Sequence, residues 1–153
     1  MQLDHADIAA RLPHTGRMCL LDRVLHWDER HIRCSAVSHR DMDNPLRDAR
    51  GLAMLAAIEY AAQAAGLHSA LVHGARLNAV GVARSGVLAA LKNVTASRLW
   101  LHEINEDIVV EASLLHGDPA GGIFSFTVFA GEERVLSGQF TLMYIDKARE
   151  QAA

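Results

Sequence analysis

The sequence predicts an α+β fold in which a curved antiparallel sheet wraps one long central helix, and three observations carry that reading. From Leu52 to Leu67 the chain reads LAMLAAIEYAAQAAGL, an alanine-rich run without proline in which Glu59, Gln63 and the Tyr60 hydroxyl are the polar groups. A hairpin pattern precedes the run, and several strand patterns separated by turn residues follow it. A helix that is apolar on nearly every side needs cover on every side, which one sheet supplies by curving around it.

Taken in order, a short helix is expected over about Asp7 to Arg11, with Asp4 as N-cap and Pro13 ending it. Cys19 to Trp27 and His31 to Ser38, joined by Asp28-Glu29-Arg30, read as a hairpin in which Ile32, Cys34 and Ala36 share a face. A polar loop containing Asp43-Asn44-Pro45 leads to Gly51 and the long helix, which continues through His73 until Gly74 offers a stop. Strands are then expected at Ala79 to Ala83 with Val87 to Leu91, Arg98 to His102, Ile108 to Leu115, Ile123 to Phe129 and Val135 to Ile145. The turns fall at Gly117-Asp118-Pro119-Ala120-Gly121-Gly122 and Gly131-Glu132-Glu133. Leu136, Gly138, Phe140, Leu142 and Tyr144 alternate onto one face, so one side of the sheet is expected to be buried.

The 153 residues, half of them apolar, suit a single domain over 1–153 with its core at about 10–146 and a short polar tail at 147–153. Neither repeats nor a dividing linker interrupt it. The start, MQLDHADIAARLPHTGR, lacks a basic segment followed by a continuous apolar run, so no secretory signal is expected and the cytoplasm is the default. The central run is long enough to raise a membrane span, but alanine is weakly apolar and Glu59, Gln63, His68 and His73 interrupt it, so none is expected. Cys19 and Cys34 read as reduced, packed thiols.

Arg30, Arg33, Arg40, Arg47 and Arg50 cluster in one region, offset by Asp28, Glu29, Asp41, Asp43 and Asp48. A net charge of −3 and few stacking aromatics argue against a nucleic-acid surface.

Glu59 is the first candidate for chemistry, because a carboxylate seldom sits in an apolar helix without a partner or a task. Gln63, four residues on, lies one turn away on the same face and can share one pocket with it.

Leu12-Pro13-His14 followed by Leu20-Leu21-Asp22-Arg23-Val24 resembles the amino-terminal motif of 3-hydroxyacyl-acyl carrier protein dehydratases, and Ile58-Glu59-Tyr60-Ala61-Ala62-Gln63-Ala64 resembles their central-helix motif. The closer likeness is to the divergent dehydratase-like branch associated with aryl polyene and polyketide pathways. This resemblance implies a hotdog fold, in which two protomers join their sheets edge to edge, as a homodimer or as a heterodimer with a related hotdog subunit. It implies a catalytic role for Glu59, with Gln63 supporting. No cofactor is implied.

One departure stands out. The family places a catalytic histidine in a Gly-His-Phe-Pro-Gly loop ahead of the glutamate, whereas this chain reads Asp43-Asn44-Pro45-Leu46-Arg47 there. His39, upstream of that loop, is left as the second proton-transfer candidate.

The implied reaction removes a proton from C2 of a 3-hydroxyacyl thioester while an acid protonates the departing C3 hydroxyl. Glu59, set among alanines, is suited to the acid role, and backbone N–H groups near Gly51 to Ala53 are suited to polarise the thioester carbonyl. An acyl carrier protein or coenzyme A thioester is the expected substrate partner, with Arg47 and Arg50 available to an acidic carrier surface. Two other readings remain: a hotdog thioesterase, and a non-catalytic subunit that pairs with an active one.

The remaining motifs read as structural. His14 follows proline at a helix-to-strand corner and is expected to be a hydrogen-bonding residue. His26 and His31 flank the hairpin turn, but without a Cys or carboxylate constellation no metal site is expected. Arg84 lies in a bend where it could meet a pantetheine phosphate or form a loop salt bridge.

Overall fold

The computed structural model describes residues 2–145, and the tail expected at 147–153 lies outside them. The elements are α1 (His5–Ala9), β1 (Arg23–Trp27), β2 (His31–Ala36), α2 (Ala57–Arg76), β3 (Gly86–Ala96), β4 (Ile108–Asp118), β5 (Gly121–Ala130) and β6 (Glu133–Tyr144). All six strands form one antiparallel sheet in the order β1-β2-β4-β5-β6-β3. The sheet curves around α2, which is the hotdog arrangement. Among the described residues no helix is long and apolar enough to cross a membrane.

Local chemistry explains the ends of the elements. Asp4 caps α1 reciprocally with Asp7, each side chain accepting the other's backbone N–H at 3.0 and 3.1 Å. A short 3-10 turn at Met54–Ala56 feeds α2, and the helix runs past the expected stop at Gly74 to Arg76. Gly74 is buried inside the helix, where a Cβ would come within 2.6 Å of the Gly81 backbone nitrogen. Its lack of a side chain serves close backbone packing, and the helix ends two residues later.

The same approach explains why Ala79 to Ala83 is not a strand. Ala79 N–H donates to the Gly74 carbonyl and Ala83 N–H to the Arg11 carbonyl, so this segment hydrogen-bonds to helix ends rather than to a ladder. Arg98 to His102 is likewise no strand. It makes only a bridge, Trp100 to Ala53, with Leu101 N–H donating to the Leu52 carbonyl. Cys19 to Asp22 stays outside β1 because Leu20 N–H goes to a side chain of α2. The other strands stand where the alternation puts them.

Ile32, Cys34 and Ala36 are fully buried on one face of β2, and Leu136, Phe140 and Leu142 are buried on β6. Beneath α2, Phe140 stacks between Phe124 and Phe126 at centroid separations of 5.6 and 5.5 Å, pairs worth about 0.5–1.5 kcal/mol each beyond area burial. Small alanines at 57, 61, 64, 65 and 70 let the sheet approach α2 closely. Cover is not complete, however: Glu59, Ala62, Gly66 and Ser69 are only half-buried, and their spacing traces one stripe along the helix.

Candidate active site

Glu59 sits in the first turn of α2 on that half-open stripe. It lines a cavity of about 280 Å³ together with His14, Gln63, Gly66, Leu88 and Leu142. The stripe, the chain segment after α1 and the first residues of β3 therefore enclose the carboxyl without sealing it. A group so placed can exchange a proton with a molecule lying along the helix.

Gln63 is buried and fully engaged. Its amide nitrogen donates to the Met18 carbonyl at 2.6 Å, and its amide oxygen accepts the Leu20 N–H at 3.0 Å. These bonds fasten the segment that carries Pro13 and His14 across the helix face. Gln63 thus supports the site by positioning its wall, and both ends of its amide are occupied in doing so.

His14 is the residue that sequence reasoning left out. It shares the Glu59 cavity, and its Nδ1 is buried without a hydrogen-bond partner. Facing the cavity without a protein partner, this ring nitrogen is free to meet a molecule that enters it. The available signal was the Leu12-Pro13-His14 motif itself, since Pro13 holds the turn out of helix and aims the next side chain back.

His39 is held elsewhere. It is fully buried, and its Nε2–H donates to the Ile104 carbonyl at 3.0 Å, outside the residues that line the Glu59 cavity. Burial pushes its imidazole down from the ordinary range, favouring the neutral ring. The loop that follows is tied to α2 by Asn44, whose amide donates to the Tyr60 hydroxyl at 3.0 Å, while Ser38 shares a 2.7 Å bond with the same hydroxyl.

Gly51 is also apart from Glu59. Its N–H donates to the Asp48 carbonyl, and Leu52 N–H donates to His102 Nδ1 at 2.9 Å. Gly51 adopts φ +124°, and a Cβ there would overlap the His102 ring, so glycine is required on both counts. With Arg47, Arg50 and His102 it borders a separate open groove.

A larger cavity of about 690 Å³ lies beside the later turns of α2, lined by His68, Ser69, Leu114, Phe124 and Tyr144. Ala83 and Arg84 border both cavities. The Arg84 guanidinium lies 4.7 Å over the Tyr144 ring and donates to the Pro119 carbonyl at 2.8 Å, so it packs on the partition between them. Cys19 and Cys34 are free and buried, and burial pushes the Cys34 thiol up to about 12, which makes it inert.

Comparison with known proteins agrees with this architecture. The structure is similar to one in the dehydratase heterocomplex ApeI:P from Xenorhabdus doucetiae, with a TM-score of 0.80, 22% identity, and coverage of 98% of this chain and 96% of that one. It is less similar to an uncharacterised protein from Pyrococcus horikoshii (TM-score 0.57, 18% identity, 87% and 88% covered). A thioesterase from Pseudomonas aeruginosa matches at a TM-score of 0.52 and 12% identity, with 80% of each chain covered. Among curated proteins none matches. The family model described as ApeP dehydratase matches residues 6–152, nearly the whole chain, and the chain therefore belongs to the ApeP-like dehydratase family.

Proposed function

We propose that this chain is a dehydratase subunit that converts 3-hydroxyacyl thioesters carried on acyl carrier protein into 2-enoyl thioesters, in fatty-acid or aryl-polyene-type polyketide synthesis. The observation that carries the reading is the shared cavity of Glu59 and His14, two proton-transfer groups facing one space beside the central helix. His14 takes the C2 proton, the C2 electron pair forms the new double bond, and the C3–O bond breaks. Glu59 in its carboxylic acid form gives its proton to the departing hydroxyl, and water leaves. Return of the proton from His14 to Glu59 resets the pair.

The acyl chain extends from the Glu59 cavity past Arg84 into the larger cavity, whose wall is mainly apolar. Arg47 and Arg50, which border the separate groove, meet the acidic face of the carrier in the cytoplasm. A second hotdog subunit pairs along the outer edge of β3, where Val87 and Leu91 are exposed. A heterodimer with a related hotdog chain is favoured over a homodimer, because the similar Xenorhabdus doucetiae structure is a heterocomplex.

The test is mass spectrometry of a 3-hydroxyacyl carrier protein incubated with this chain, alone and with a copurified hotdog partner. Loss of one water that disappears with Glu59→Gln is the expected result. Full dehydration by Glu59→Gln would overturn the assignment. Hydrolysis is the second reading, favoured by the missing loop histidine, and release of free thiol without enoyl product would establish it in place of dehydration. An inactive chain that activates a partner would instead assign the non-catalytic role.

A further inference from the structure

Away from the Glu59 cavity, the β1–β2 turn draws together the two histidines that flank it and the carboxylate of Asp28 between them. His26 lies near the end of β1, Asp28 in the turn and His31 at the start of β2, and one ligand atom from each lies within 4.8 Å of the other two. Folding adds a fourth donor from β4, since Glu111 Oε2 is 3.9 Å from His31 Nε2.

Both carboxylates are already oriented by their other oxygen. Asp28 Oδ1 accepts the N–H groups of Arg30 and His31 at 2.8 and 2.9 Å, leaving Oδ2 beside His26 Nε2 at 3.6 Å. Glu111 Oε1 lies 3.4 Å from Arg33 Nε, leaving Oε2 toward His31. Donor atoms around a tetrahedral ion, each bonded at about 2.0–2.1 Å, stand roughly 3.3 Å apart, so the three donors of the turn need only small side-chain movements, while Glu111, which lies near His31, must swing further to complete the shell. The gaps of 3.6 and 3.9 Å are too long for hydrogen bonds, and exposed ion pairs alone stabilise little.

We propose that His26, Asp28 and His31, with Glu111 as the fourth donor, form a site for a borderline divalent cation of the zinc, nickel and copper class. Two imidazoles and two carboxylates suit such ions, whereas magnesium and calcium prefer all-oxygen shells. The site also touches the cavity wall. Asp28's carbonyl accepts His68 Nε2–H at 2.8 Å, and His68 lines the larger cavity, so a bound ion would brace the hairpin against α2.

The test uses the purified chain with any affinity tag removed, titrated calorimetrically with zinc chloride and separately with magnesium chloride, with thermal melts alongside. Saturable one-to-one zinc uptake, a raised melting temperature and no magnesium uptake are expected. The double substitution His26→Ala, His31→Ala should weaken zinc uptake by at least about tenfold and remove the thermal shift, while the zinc-free melt shifts only slightly because His26 is exposed and His31 is half-buried. Glu111→Gln should weaken uptake by a smaller factor. Absence of saturable zinc uptake, equal uptake of magnesium, or uptake unaffected by the double substitution would each overturn the proposal.

Discussion

Gln63 on the central helix donates to the Met18 carbonyl at 2.6 Å. Because its oxygen also accepts the Leu20 N–H, one side chain satisfies two backbone groups of the segment that carries His14. Gln63→Leu keeps most of the volume and strands both groups. The expected loss is about 2–4 kcal/mol of unfolding free energy, read by urea denaturation, with dehydration falling further than stability alone explains because the His14 wall loosens. Unchanged stability would show the two bonds to be dispensable.

His14→Gln tests the imidazole directly. Dehydration should fall about 10²- to 10⁴-fold in kcat with the melting temperature nearly unchanged, since the ring is only half-buried and its Nδ1 has no protein partner to lose. Retention of wild-type turnover would remove His14 from the mechanism and leave the base to be supplied by a partner subunit.

Gly81→Ala probes the close packing beside the helix. A Cβ at this position would come within 1.8 Å of the Ala70 carbonyl oxygen, a backbone atom that cannot swing aside. The substitution should cost about 1–3 kcal/mol or more, measured as a shift of the denaturation midpoint, by forcing the 79–83 segment off α2. A midpoint equal to wild type would mean that the segment is not held there in solution.

Two buried histidines set a pH dependence. Burial is the main cause that lowers both His39 and His68 below the ordinary histidine range, so near neutral pH both are neutral in folded and unfolded chains. As pH falls below about 6.5 the unfolded chain takes up protons that the folded chain refuses, and stability declines by up to about 1.4 kcal/mol per pH unit for each ring. The loss is complete once pH has passed below the folded-state values. Urea midpoints measured between pH 7 and pH 5 should fall, and His68→Gln should lessen the slope. A slope that stays flat in this window would contradict the burial of these rings.

Arg47 and Arg50 offer a test of carrier docking. Arg47 Nε is buried without a partner, whereas Arg50 is exposed and paired with Asp48 at 3.1 Å. Arg47→Ala with Arg50→Ala should raise KM for a carrier-bound substrate several-fold and flatten its salt dependence, with little change for a small thioester. Carrier binding insensitive to both the substitutions and added salt would place the docking face elsewhere.

Much of the fold was readable from periodicity. The two-residue alternation of Leu136, Phe140 and Leu142 and the alanine-rich run around Glu59 report burial directly, and the structure buries both apart from one half-open stripe of the helix. Ala79 to Ala83 and Arg98 to His102 were not readable, because Ala83 and Leu101 donate to Arg11 and Leu52, remote in sequence, and Gly74 did not stop the helix because its missing side chain serves the packing of Gly81 against it. The site divides in the same way. Glu59 and Gln63 declare themselves by helical spacing, but His14 meets them only when the chain folds back, and His39 turns inward to Ile104 for a reason that lies 65 residues away.

The apolar stretch Gly86–Ala96 terminates the sheet, with one row of backbone amides and carbonyls left unmatched beyond its ladder to β6. Lys92 and the irregularities in the ladder between Leu88 and Ala90 and between Lys92 and Thr95 blunt this edge in part, yet the stretch still offers unmatched groups to a further strand. A second hotdog chain laid along this edge, a copy of this one or a related subunit, would take up that row, so the purified polypeptide should run larger than a monomer in size-exclusion chromatography with light scattering.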